Sequence, residues 1–258
     1  MEEGIRLEAQ LKGTFEASML HLYWITLRQL LRQSALWWLN LFVIAFSEIA
    51  PAFAEVFCFG KVEQAIVDCS TATVYLAVLL SVVTTSYQLL AKEFNERVAL
   101  TLFTKPLSLL EILLAKYFAL LTTLFIIAMV QGLMILKHAY TYELSHESWF
   151  SLATALYAVF LQGLILQSLG LMFSCRFHGL SSLYLTLGMI LLGQTVPPYF
   201  LSWTCFFIPG LQWYDLSYWI YNNHSIPMEY LANLSLYAIA YSGLMVVLGS
   251  YFLDKREF

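Results

Sequence analysis

A carboxylate stands inside an apolar run: Glu48, in LNLFVIAFSEIAPAFAEVF, followed by Pro51 and Glu55. An acid near the centre of a lipid-embedded helix costs about 3 kcal/mol on insertion scales. Glu48 is therefore expected to face the protein interior or a wet cavity, or to hold a proton. It could line a translocation path, lie at a dimer interface, or be satisfied by a Gln or Thr of a neighbouring helix. Pro51 removes a backbone donor one turn later and can kink the helix. Gln131, Gln162, Gln167 and Gln194 also fall within apolar runs, where amide side chains bond between helices or line a path. Gln131 and Gln194 join Glu48 and Pro51 as candidates for the path or dimer interface.

Other chemistry is thinly supplied. His21, His138, His146, His178 and His224 have no metal-ligand spacing, so no metal site is expected. Ser181 and Ser182 have no paired base to activate them, and no catalytic residue is assigned. Cys58 and Cys69 fall together in an expected outer loop and could form a disulfide in an oxidising compartment. The only Gly-Lys pair, Gly60-Lys61, runs into Val62, so the Gly-x4-Gly-Lys-Ser/Thr loop that cradles nucleotide phosphates is absent. No cofactor is expected on this chain, and ATP-driven work would need ATP and Mg on another polypeptide.

The elements that position these residues follow from composition. The chain is 60% hydrophobic and only 12% charged, about half the charge of a soluble domain, with mean hydropathy +0.71. Water is a poor solvent for such a surface, so the membrane is expected. No basic tract exists, which excludes nucleic acid as a partner. Crossing the hydrocarbon core takes about 20 apolar residues, and runs of that kind occur at 34–56, 72–91, 110–135, 149–174, 180–202 and 229–253. Backbone groups cannot stay unpaired in lipid, so the expected fold is all-α, with six transmembrane helices in one domain covering 1–258. Residues 15–32 (FEASMLHLYWITLRQLLR) read as an amphipathic interfacial helix. The polar start, MEEGIRLEAQLKGTFEAS, lacks a signal-peptide layout, and the first apolar run is expected to be retained.

Orientation follows the distribution of Lys and Arg. With both termini cytoplasmic, all of the 13 basic residues except Lys61 and Lys137 lie inside or at inner helix ends. The outer loops become 57–71, 136–148 and 203–228. The last carries Trp203, Trp213, Tyr214, Tyr218, Trp219 and Tyr221, the composition of an aromatic belt, and short helices along the outer surface are expected there.

Between the second and third runs lies KEFNERVALTLFTKPLS, residues 92–108. Phe94, Val98, Leu102 and the pair Ala99 and Phe103 recur at helical spacing, giving a short amphipathic helix over 92–106. Pro106 ends it by holding Lys105 extended. Ser108 and Glu111 then form the S-x-x-E pattern of a capping box. The result is either a cytoplasmic helix that passes force into a span or a solvated turn whose charges enforce topology.

The stretch Glu93-Phe94-Asn95-Glu96…Thr101-Leu102-Phe103-Thr104-Lys105-Pro106-Leu107-Ser108…Glu111…Lys116-Tyr117 resembles a segment of type-2 ABC-exporter permeases. The group serving nitrous-oxide-reductase maturation is the most similar. Asp68 in an outer loop matches that layout, as do Pro209, Asp215-Leu216, Ile226-Pro227, Tyr237…Tyr241-Ser242 and Phe252…Lys255-Arg256-Glu257-Phe258 near the end. The chain departs from the pattern at Val98-Ala99-Leu100, Leu109 and Ala115.

The resemblance implies a permease subunit of an ABC exporter in a bacterial cytoplasmic (inner) membrane, paired with a second permease copy. Two cytoplasmic ATPase subunits would drive it. Residues 92–106 would be the coupling helix. Glu93, Glu96 and Arg97 would make its polar contacts with the ATPase, and Phe94, Leu102 and Phe103 its apolar ones, with Lys105 at its end. Two other classes remain open from the residues alone: an ion-driven transporter or channel using Glu48, and a membrane enzyme using Asp215 and His224.

Overall fold

The computed structural model describes residues 19–57, 62–95, 108–143, 146–177, 180–195, 208–216, 219 and 226–255. These form seven α-helices: α1 Met19–Leu31, α2 Ser34–Phe57, α3 Val62–Asn95, α4 Leu109–Thr141, α5 His146–Arg176, α6 Leu180–Thr195 and α7 Met228–Asp254. A single 3-10 turn, Leu211–Tyr214, lies between α6 and α7. No strand occurs among the described residues.

Ala65–Thr85 of α3, Leu109–Thr141, Trp149–Arg176 and Met228–Asp254 are long and apolar enough to cross a membrane. α1 and the Ser34–Ile49 part of α2 pass the same test together, bent by 56° at Arg32–Gln33, which allows up to five spans. The protein is a helical membrane protein. The fifth expected run, 180–202, is helical over only 16 described residues, about 24 Å of rise against a core of about 30 Å. Residues 196–202 lie outside the described residues.

Because lipid and core are equally apolar, hydrophobicity does not mark which helix face turns inward; small and polar side chains do. α5 is the hub, packed against α3, α4, α6 and α7. It buries Gln162, Gln167, Ser168 and Ser174 together with Leu161, Ile165, Leu166 and Leu169. Gly163 lets three helices meet: a Cβ there would stand 2.7 Å from Leu124 Cδ2 on α4 and 2.9 Å from Val78 Cγ1 on α3. Polar bonds tie the other pairs. Asn40 Nδ2 on α2 donates to Ser81 Oγ on α3 at 3.3 Å, and Gln167 Nε2 donates to Thr85 Oγ1 at 3.4 Å. Outward, Trp38, Phe42, Leu133, Leu191, Leu236 and Ile239 are exposed, a coat that suits acyl chains.

Several helices run past the limits expected from the apolar runs. α3 starts at Val62, so Asp68 and Cys69 are helical and the expected 57–71 loop is much shorter. The same helix continues through Lys92, Glu93, Phe94 and Asn95 without a break. The start of the expected separate 92–106 helix is thus the end of α3, and residues 96–107 lie outside the described residues. α4 extends to Thr141, which takes Lys137 and His138 out of the expected 136–148 loop. The reason is cooperative: a nucleated helix gains one backbone bond for each residue added, and polar residues are no obstacle to it.

α4 begins where expected. The Ser108 N–H donates to Glu111 Oε2 at 2.9 Å, the glutamate half of a capping box. Lys116, expected with the inner-end charges, is buried at 1% exposure. α1 covers part of the expected 15–32 helix and packs one face on the bundle. Trp24 and Ile25 face outward, whereas Leu22, Leu27 and Leu30 are buried against α4 and its neighbours. Tyr23 Oη lies 2.9 Å from Thr122 Oγ1 on α4.

Candidate functional site

On α3, Asp68, Thr71, Tyr75 and Leu79 fall at helical spacing and share one face. Ala155, Val159 and Gln162 do the same on α5, and Ile190 and Gln194 on α6. These faces, with Tyr214, Asp215 and Leu216, enclose a cleft of about 440 Å³. Polar groups cross it at fixed distances. Gln194 Nε2 donates to Tyr75 Oη at 2.9 Å, joining α6 to α3. The carboxyl groups of Asp68 and Asp215 both line this opening.

The wall opposite α3 is not a helix but the 208–216 segment, which enters the bundle and is gripped by α5 and α6. Gln162 Nε2 donates to the Leu211 carbonyl at 2.9 Å. Gln212 Nε2 donates to the Gln194 carbonyl at 2.6 Å. Gly193 makes the approach possible: a Cβ there would lie 2.7 Å from the Pro209 carbonyl oxygen. From the other side α7 holds the same turn. Tyr230 Oη donates to the Trp213 carbonyl at 2.6 Å, and Tyr214 Oη to the Leu234 carbonyl at 2.9 Å. Trp213 stacks edge-on against Tyr237 with ring centroids 5.2 Å apart. Burial raises the Tyr214 hydroxyl well above its usual pKa, and it stays a neutral donor.

The described part of the expected aromatic belt over 203–228 packs against the helices. Leu211 and Tyr214 are buried, and Trp213 and Trp219 pack against the main core. The turn's carbonyls accept from amide and phenol donors of the helices around it.

Glu48 has a partner that the loop assignment hid. Lys137 Nζ donates to both carboxylate oxygens of Glu48, at 2.8 and 2.7 Å, linking α4 to α2. His138 Nε2 is 3.9 Å from Glu48 Oε1 and has no hydrogen bond. The pair is a strut between α4 and α2. The α2 helix runs on through Pro51 to Phe57, and the break in this part of the chain is instead the 56° bend before Ser34.

The remaining candidates separate. Gln131 is buried on α4, and its Nε2 has no hydrogen-bond partner. It does not line the cleft, whereas Gln194 does. Glu93 and Phe94 belong to the last turn of α3. Glu96, Arg97, Leu102, Phe103 and Lys105 lie outside the described residues. Cys69 is helical on α3, and its suggested partner Cys58 lies outside the described residues. Asp68 and Asp215 were not foreseen as a pair, although Asp68, Thr71 and Tyr75 form a polar stripe legible along one helix face.

No known protein family matches the chain, and no characterised protein matches it either.

Proposed function

We propose that the chain is the transmembrane permease subunit of an ATP-driven ABC exporter. The observation that carries this reading is the polar cleft sunk into an apolar helical bundle, bordered by α3, α5, α6 and the 208–216 turn. A substrate with polar or cationic groups finds acceptors there in Asp68, Asp215, Tyr75 and Gln194. The resemblance of residues 93–117 to the coupling segment of type-2 permeases adds the power source, a separate ATPase subunit in two copies. A second permease copy completes the complex. In this reading six spans carry both termini into the cytoplasm of a bacterial cell, and Glu93, Glu96 and Arg97 meet the ATPase. Since α3 is one unbroken helix from the cleft residue Asp68 to Asn95, a push near Asn95 moves a wall of the cleft directly.

Co-purification from native membranes tests the reading. The wild-type chain is expected to bring down an ATPase whose turnover depends on the chain, and Glu96→Ala/Arg97→Ala to uncouple it. A wild-type chain that retains no ATPase refutes the proposal. The two carboxylates on one cleft favour a second reading, an ion-coupled transporter. That reading requires transport in vesicles free of nucleotide that collapses with the proton gradient.

A further inference from the structure

At the bend between α1 and α2 lies an open cavity of about 630 Å³, remote from the polar cleft. Arg28 and Gln29 line it from α1, and Arg32, four residues after Arg28, from the turn that follows α1. Ser34 and Ala35 line it from the first turn of α2. Both arginines are exposed, and neither has a carboxylate partner among the described residues. The first turn of α2 contains no acidic residue, and the N–H groups of a first helical turn have no partner within the helix. Two arginines and a helix start therefore border one cavity that no acidic residue lines among the described residues.

Exposed rings surround the bend. Trp24, Ile25, Trp37, Trp38 and Leu41 are exposed around the bend, and Trp37 Nε1 donates to the Leu31 carbonyl at 2.7 Å, closing the end of α1. Tryptophans grouped beside arginines are the composition of the membrane–water boundary. Exposed apolar rings beside the arginines offer a surface for acyl chains.

We propose that the α1–α2 bend binds the phosphate of an anionic phospholipid headgroup, with Arg28 and Arg32 as its ligands. Arginine suits this task because its planar fork meets phosphate oxygens two at a time. Binding there would hold the 56° angle between the two helices and seat α1 on its leaflet. The inference is independent of the transport reading.

The test uses the full chain in neutral detergent, with phosphatidylglycerol titrated and bound lipid counted by native mass spectrometry. Phosphatidylglycerol is expected to bind more tightly than phosphatidylcholine. Arg28→Gln/Arg32→Gln is expected to weaken it about thirtyfold, roughly fivefold for each basic residue at an anionic surface. Arg28→Lys/Arg32→Lys keeps the charge but loses the fork, and is expected to bind with an affinity between those of the wild type and the glutamine variant, which separates loss of charge from a folding defect. Unchanged binding in the glutamine variant overturns the proposal, as does equal affinity for phosphatidylcholine. Displacement of the lipid by inorganic phosphate or glycerol phosphate at millimolar concentration would assign the cavity to a soluble anion and overturn the lipid assignment.

Discussion

Two glycines on one short helix offer a controlled test of how the 208–216 turn is held. Gly188 and Gly193 both lie in α6, five residues apart. Replacing a helical glycine by alanine gains about 1 kcal/mol from backbone entropy alone. At Gly188 a new Cβ meets nothing within 4 Å, so Gly188→Ala is expected to realise that gain. At Gly193 the new Cβ meets the Pro209 carbonyl oxygen at 2.7 Å and Leu211 Cδ1 and Cγ at 3.0 Å. The leucine could turn away, but the carbonyl is backbone and moves only if the turn moves. Overpacking of this kind costs about 1–3 kcal/mol. Gly193→Ala should therefore lie about 1–3 kcal/mol below Gly188→Ala. At about 2–4 °C per kcal/mol for a chain of this size, the gap in Tm is about 2–12 °C. Thermal unfolding of both variants in the same detergent measures it. Coincident melting curves, or a more stable Gly193→Ala, would refute the close approach of the turn to α6.

Gln162→Leu removes the donor to the buried Leu211 carbonyl and should cost about 1–3 kcal/mol in denaturant unfolding. Because it acts on the same turn as Gly193→Ala, the double variant should be less destabilised than the sum of the two. For the strut, Lys137→Met leaves Glu48 without its ammonium, whereas Glu48→Gln/Lys137→Met removes both charges. Thermal scans of the double-mutant cycle should therefore give the double variant more stability than Lys137→Met alone, and additive effects would mean the pair is not formed. Glu143 closes α4 with φ 48°, a conformation that costs an L-residue about 1–2 kcal/mol. After the extra unfolded-state freedom of glycine is subtracted, Glu143→Gly should stabilise by about 0.5–1 kcal/mol, readable as a rise in Tm.

The spans were legible because the rule behind them is local: about 20 apolar residues in a row, with backbone bonds that must close within the segment. The runs at 110–135, 149–174 and 229–253 each lie within one helix of the structure, and the Ser108–Glu111 cap begins α4 as its spacing foretells. Helix ends were harder to read. Hydropathy changes at Asp68 and Lys137, but the helices do not stop there, since backbone bonding continues through polar residues.

Sequence alone thus determined the helical class, the membrane as solvent and the outward coat of apolar side chains. Each of these is set by neighbours within a few turns of the same chain. Tertiary structure decided what the polar residues do. Glu48 meets a lysine 89 positions away, Gln194 meets a tyrosine 119 positions away, and the 208–216 turn is held by Gln162 and approaches α6 closely at Gly193. Such pairings depend on which helix faces meet. In a membrane protein hydrophobicity cannot choose those faces, because lipid and core are equally apolar and only small and polar side chains distinguish them.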